Sequence, residues 1–541
     1  MNKKSFLPLI MSVCIVAGII AGALITKVTT GRQAAAHSNR ITATGHTKID
    51  ALLQVINDRY VDTVDMSAII EGAMPAILSE LDPHSAYIPA EDLSNVNDDL
   101  AASFSGIGVK FTIQKDTIII NEVIKGGPSE KVGLLPGDRI VTIDDSTFVG
   151  KIVKARSAMR KLKGPEGSMV KLGILRKGEN APLEFEVIRG SIPVHSITST
   201  YMITDKIGYI KIDKFAQNTY MEMLVSIARL AKANMQGLIL DLRGNSGGYM
   251  GTAIQMANEF LPDNHLIVYT EGRCSPRHEY MSDGTGSSSD IPIVVLIDEG
   301  SASASEILSG AIQDNDRGLI IGRRSFGKGL VQQPLEFVDG SAIRITIARY
   351  HSPSGRCIQK PYDKGEAGKY AMDIFNRYEH GEFFSADSIK QDKSKKYQTI
   401  GGRTVYGGGG IMPDIFVPSD TTHFTSYFRD ARGRGLILRY CFDFTDNHRR
   451  DLELYKDDLD GLLKYLDRHN IVNDFARYAE KKGLKRRNRM LRTSLPLFKL
   501  NLYGSIIYNS QGDEMYHQYL NRDDDTVERA VKELNKIIKD K

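Results

Sequence analysis

The stretch IPIVVLIDEGSASASEILSGAIQDND, residues 291–316, decides the reading of this chain. It opens on a continuous apolar run, the pattern of a strand buried on both faces. The run stops at Asp298-Glu299-Gly300, and the small residues beyond continue at helical spacing through about Asp314. A strand that turns straight into a helix leaves its turn residues at a helix N-terminus, where unpaired N–H groups and the dipole favour developing negative charge. Ser301, Ser303 and Ser305 occupy that turn. Spacing alone does not choose among them, and serine-rich turns also serve as helix caps.

A serine hydroxyl is a weak nucleophile at neutral pH unless a neighbouring base takes its proton. Lys328, in FGKG at 326–329, is a candidate base if the fold buries it, because removal from water disfavours the ammonium form. The amide of Ala304 is a natural donor to an oxyanion. A second would come from DLRGNSGG at 241–248, where Gly247 or Gly248 can present an unobstructed N–H.

Working outward, KIGYIKIDKF (206–215), GLILDLRGNSGG (237–248), HLIVYTEG (265–272) and IPIVVLIDEG (291–300) read as strands. TYMEMLVSIARLAKAN (219–234) and GTAIQMANEFL (251–261) read as helices. The alternation predicts crossover units and a mostly parallel sheet covered by helices, with reactive residues beyond the carboxyl ends of strands.

A chain of 541 residues calls for two to four domains. A net charge of +4 is small for that length and gives nucleic acid no general role as partner, although KKGLKRRNRMLR (481–492) is locally basic. The four cysteines are far apart, the twelve histidines form no HExxH, and there is no GxxxxGK[ST] loop. A disulfide framework, a zinc site, a metal hydrolase and an NTPase are all unsupported. Lys3 and Lys4 precede an apolar run from Phe6 to Ile25, long enough to cross a bilayer. Positive charge ahead of it predicts a signal anchor with the bulk of the chain outside the cytoplasm. Ala34–Ala36 keep a cleaved signal peptide open as the alternative.

Residues 45–99 carry two helical patterns followed by LDPHSAYIP (81–89) and no chemical motif, which suits a cap or a dimer contact. From 100 to 190 short β-branched runs alternate with glycine-rich turns. GIGV (106–109) and GGPSEKVGLLPGDRIVTIDD (126–145) together resemble a PDZ domain, in which a peptide adds as a strand and its terminal carboxylate sits in a backbone nest. The resemblance implies the amides of Gly106, Ile107 and Gly108 as carboxylate donors and Ile107 and Val109 as apolar contacts. The stretch 421–541 is helical by period, a candidate for dimerisation, a lid or an adaptor contact.

LDPHSAYIP, the PDZ-like region, IGYIKIDKF, LDLRGNSGG, GSASASEI, FGKGLVQQP and YHSPSGRCIQ, in that order, resemble the carboxy-terminal processing peptidases, or tail-specific proteases. The similarity runs from about 45 to 420. It implies Ser303 as nucleophile, Lys328 as general base, Gln332 as the residue that orients the base, and Asp314 either as a residue sometimes grouped with them or as one that only caps or braces the helix after Ser303. It gives His351 no role. The resemblance implies a helical region (45–99), a PDZ domain (100–190) and an α/β peptidase core with ClpP/crotonase-like layers (195–420); with the N-terminal membrane helix, a signal anchor or signal peptide (1–30), and the helical extension (421–541) read from the sequence itself, the expected fold is multi-domain α/β. The implied function is a serine endopeptidase of the cell envelope, anchored to the inner membrane with its catalytic part in the periplasm, or exported after signal cleavage. It would cleave proteins near C-termini that the PDZ domain recognises, need no metal or organic cofactor, and self-associate. The rival is a catalytically silent PDZ scaffold of the envelope.

Overall fold

The computed structural model describes residues 46–98, 101–114, 116–150, 153–390 and 392–540. The expected membrane segment lies outside them. No helix of the described residues is long and apolar enough to cross a membrane. The chain divides into two units at residues 77 and 78. The first contains the helix His46–Arg59 and most of the helix Met66–Ser79, with Ile49, Leu52 and Ile70 exposed.

The second unit is organised by a six-stranded sheet in the order Ile197–Met202, Ile207–Ile212, Gly237–Asp241, Ile293–Ile297, Leu319–Gly322, Ile415–Phe416. Its first pair is antiparallel and the others are parallel. Successive side chains of a strand point to opposite faces, so the apolar runs must be covered twice. On one face Ile210, Leu238, Leu240 and Val295 meet Met223, Ala253, Met256, Leu308 and Ile312 from the helices Thr219–Lys232, Met250–Phe260 and Ala304–Asp314. On the other, Tyr209, Ile239, Val294 and Leu296 meet Val527, Ala530 and Leu534 of Asp525–Asp540.

That last contact revises the expectation for 421–541. The final helix is a layer of the peptidase core, required by the sheet's second face. The helices between Ser426 and Leu520 instead close on a cluster of their own, with Tyr427, Phe475, Phe498, Leu502 and Ile506 at its centre.

The strand expected within 265–272 also lies elsewhere. Leu266–Gly272 joins a separate antiparallel sheet with Ser275–Met281, Leu330–Glu336, Ala342–His351 and Ala86–Ile88. Only Arg273 and Cys274 separate it from Ser275–Met281, a connection long enough for a hairpin and far too short for a parallel crossover.

Residues 103–193 form the PDZ-like body. Val109–Gln114, Thr117–Val123, Arg139–Ile143, Met169–Leu175 and Leu183–Ile188 pair antiparallel in that order around Ile118, Ile120, Ile140, Leu172 and Ile174. Among the described residues nothing pairs with the outer edge of Val109–Gln114.

Leu534, fully buried under the sheet, tests the place of the last helix. Leu534→Ala should lower unfolding free energy by about 2–5 kcal/mol, read as a shifted urea midpoint. A substitution without effect would return that helix to the periphery.

Candidate active site

The turn between Ile293–Ile297 and Ala304–Asp314 discriminates among its three serines. Ser301 Oγ donates to the Leu242 carbonyl at 2.8 Å and accepts from the Asp298 amide at 2.9 Å. Ser305 Oγ donates to the Asn245 carbonyl at 2.8 Å. Both are fully buried and fasten the turn to the neighbouring loop. Ser303 is the one left partly exposed, and its backbone is held at φ 55° and ψ −113°. Such a conformation in a residue with a Cβ costs about 1–3 kcal/mol and persists only where the surroundings impose it.

Glu306 and Tyr350 impose it. Glu306, one turn into the helix and buried, accepts from the Ser303 amide at 2.9 Å and the Lys328 amide at 2.8 Å through the same oxygen, Oε2. Its Oε1 accepts from the Gly327 amide at 2.7 Å and from Ser325 Oγ. The Tyr350 phenol donates to the carbonyl oxygens of Ser303 and Lys328. Residues 303 and 328 are therefore neighbours at both their N–H and C=O groups.

Their side chains do not yet meet. Lys328 Nζ donates to Gln332 Oε1 at 3.1 Å, and among the described residues no hydrogen bond joins it to Ser303 Oγ. Gln332 in turn donates from Nε2 to the His84 carbonyl. Burial, reinforced by the charge of Arg344, holds Lys328 below the usual lysine range against the opposing pull of Glu306 and Asp82. His84, whose Nε2 pairs with Tyr370 Oη at 2.9 Å, is pushed down to about 4 by burial and then by Lys328. It stays neutral at ordinary pH.

The turn 243–248 faces the nucleophile. The Asn245 carbonyl accepts from the Ala302 amide at 3.0 Å, and a Cβ placed on Gly247 would lie 2.8 Å from Ser303 Cβ. Of the two glycines proposed as donors, Gly247 gives its N–H to Asn245 Oδ1 at 2.8 Å. Among the described residues the N–H groups of Gly248 and Ala304 have no partner. Gly248, at φ 147°, also approaches Phe215 so closely that a Cβ would lie 2.2 Å from its carbonyl oxygen. Only glycine fits there.

Asp314 stands apart from this group and, of the two roles open to it, takes that of a brace. It closes the far end of Ala304–Asp314, about 16 Å along the axis from Ser303. There it makes a fully buried ion pair with Arg356 at 2.7 Å and accepts from Ser354 Oγ. It braces the segment after the second sheet. His351 stacks on Tyr269 and contacts the Gly355 carbonyl, away from any role with Ser303.

In the PDZ-like body the N–H groups of Ile107 and Gly108 are unpaired among the described residues, while Gly106 stands opposite Gly190 in a two-stranded ladder. The Ile107 side chain is 2% exposed and belongs to that body's core, which corrects its expected part as an open apolar contact. Val109 is half-buried against the same cluster.

Sequence reasoning missed Glu306, Tyr350 and His84. The spacing Ser303-x-x-Glu306 is that of a capping box and was available as a signal. Nothing local marks Tyr350 or His84, which arrive from distant strands.

Family models match at residues 206–364 (peptidase family S41), 105–187 (PDZ domain), 21–92 (activating protease CtpB N-terminal domain) and 427–512 (a family of unknown function, DUF8443). The carboxy-terminal processing protease CtpB of Bacillus subtilis is 34% identical over 58% of this chain and 65% of its own, just under two thirds of that relative. CtpA of the same organism is 32% identical over 68% of this chain and 80% of its own. The carboxy-terminal-processing protease of Bartonella bacilliformis is 35% identical over 57% and 71%. Among solved structures, a photosystem II D1 C-terminal processing protease aligns at 24% identity and TM-score 0.35 over 70% of this chain and 95% of its own.

Burial raises the Glu306 carboxyl from 4.5 to about 7 despite its hydrogen bonds. With the folded value above the unfolded one, the folded state holds the extra proton between pH 4.5 and 7. This group's stabilisation is complete below that window and lost across it, about 3 kcal/mol in all. Glu306→Gln should remove that slope from unfolding free energy measured by urea titration from pH 4.5 to 7.5. An unchanged slope would place the titration elsewhere.

Proposed function

Because the chain belongs to the carboxy-terminal processing proteases of peptidase family S41, we propose that it is a serine endopeptidase that cuts polypeptides near their C-termini through an acyl-enzyme at Ser303. The observation that carries this is the pairing of Ser303 and Lys328 through shared partners, Glu306 at their amides and Tyr350 at their carbonyls.

In the proposed cycle neutral Lys328 takes the proton from Ser303 Oγ as that oxygen attacks the scissile carbonyl. The negative charge that develops is met by the N–H groups of Ala304 and Gly248, both without a partner among the described residues. Lys328, now an ammonium, returns its proton to the leaving amine. It then deprotonates the water that releases the acyl group. Gln332 holds the amine between these steps through Oε1, and is itself fixed by the His84 carbonyl. In the free protein Lys328 Nζ donates to Gln332 alone among the described residues, and catalytic hydrogen bonds of this kind tighten when substrate binds.

A free C-terminus would add as a strand along the open edge of Val109–Gln114, its carboxylate facing the Ile107 and Gly108 amides. The apolar run behind Lys3 and Lys4 supports attachment to the membrane of the cell envelope, with the catalytic part outside the cytoplasm.

Incubating the full chain with an unfolded protein tests the proposal. Ser303→Ala should abolish cleavage, and Lys328→Arg, which cannot lose its charge, should do the same while remaining folded. Wild-type activity should rise with pH as the depressed Lys328 ammonium gives up its proton. Equal absence of cleavage by wild type and Ser303→Ala would favour a silent scaffold. Activity retained in Lys328→Arg would remove lysine from the role of base.

A further inference from the structure

The turn that presents Gly248 starts at Arg243, and that arginine is gripped from two sides. Its Nε and Nη2 donate to the buried Asp241 carboxylate at 3.0 and 2.6 Å. Its Nη1 donates to Asp524 Oδ2 at 2.7 Å. Asp241 also accepts from Tyr209 Oη at 2.7 Å, and Lys211 Nζ donates to the Arg243 carbonyl. The arginine is held well above its usual range and Asp241 well below its own, by their mutual charge acting against burial. The grip is therefore ionic at any ordinary pH.

Asp524 has a second task. Its Oδ1 accepts from the Thr526 and Val527 amides at 2.9 and 3.0 Å, capping the helix Asp525–Asp540 that covers the sheet. One oxygen thus ends a helix and the other reaches the loop opposite the nucleophile. From Arg243 the loop continues through Gly244, whose amide donates to Asp298 Oδ1 at 2.8 Å. Asn245 follows, accepting at its carbonyl from the Ala302 amide and Ser305 Oγ and at its Oδ1 from the Gly247 amide. The connection from Asp524 to the residues flanking Ser303 is unbroken.

We propose that Asp524 is a positioning residue for the cleavage reaction: by fixing Arg243 it keeps the turn 243–248 in place and the Gly248 amide aimed at the oxyanion. The inference rests on the serine-peptidase reading of the site. Oxyanion donors are effective because they are preorganised, and a misplacement of about 1 Å can cost on the order of 100-fold in rate. The far end of the chain would then serve catalysis as well as burial.

The two tasks separate by substitution. Asp524→Ser retains a capping oxygen and deletes the partner of Arg243. Asp524→Asn retains the cap and a neutral acceptor. Both are made in the full chain and assayed on a peptide substrate at a temperature where circular dichroism shows each variant folded, with rates expressed per mole of folded protein. Expected for Asp524→Ser is an unfolding midpoint near that of wild type, KM within about twofold, and kcat lower by about tenfold or more. Asp524→Asn should lie between. An unchanged kcat per folded molecule would overturn the proposal, as would a rise in KM alone. Failure of the parent reading is recognised separately, since wild type and Ser303→Ala would then be equally inactive before any Asp524 variant is compared.

Discussion

The carboxylate of Glu306 is the constraint from which the site follows. A buried acid with no cation in contact must satisfy its oxygens with hydrogen bonds or give up its charge. Here four donors converge on it, from Ser303, Ser325, Gly327 and Lys328. Each donor belongs to a segment whose position matters, so satisfying one carboxylate aligns the nucleophile turn with the lysine loop. The arrangement also carries a conflict. An ionised Glu306 favours the charged lysine, whereas a general base must be neutral. Deep burial of both groups and the charge of Arg344 act in the other direction.

That alignment would be useless on a mobile frame, and the frame is made by covering the sheet twice. Ser303 and the turn 243–248 both lie beyond the carboxyl ends of adjacent parallel strands, Ile293–Ile297 and Gly237–Asp241. Their separation is set by the strand spacing and by cross-bonds from Ser301 and Ser305. The two serines that spacing could not tell from the nucleophile are what tie the two turns together. Ser303 alone is kept free of such duty and strained.

The parallel strands and the strand-turn-helix around Ser303 were legible because each is written in local periodicity, and the PDZ-like body because GIGV and GGPSEKVGLLPGDRIVTIDD carry a family resemblance. Gly247 and Gly248 could be nominated together, since a glycine-rich turn after a buried strand announces an available amide, and only the Asn245 side chain, which takes the Gly247 N–H, chooses between them. What was not legible depends on partners remote in sequence. His84 reaches Gln332 across 248 residues, and Tyr350 lies on a strand of the second sheet. The helix Asp525–Asp540 has an ordinary amphipathic pattern that does not say which sheet face it will cover. Leu266–Gly272 was misplaced for a different reason. Its apolar run resembles its parallel neighbours, whereas its place is decided by the two-residue connection to Ser275–Met281, a polar strand with no apolar run to announce it.

The PDZ-like body is joined to its surroundings in another manner than the core. Its apolar cluster draws on residues 107–187 alone, so it folds around its own centre. Its outward ties are polar: Lys110 to Asp513, Arg139 to Asp446, Arg160 to Glu91 and Lys163 to Asp98. Ion pairs with solvent access contribute about 0–1 kcal/mol each, and bodies connected in this way move relative to one another by default. A peptide strand adding to the open edge competes only with such contacts. Lys110 lies on that edge strand and is bonded to Asp513, whose neighbour Glu514 pairs with Arg229 of the catalytic unit.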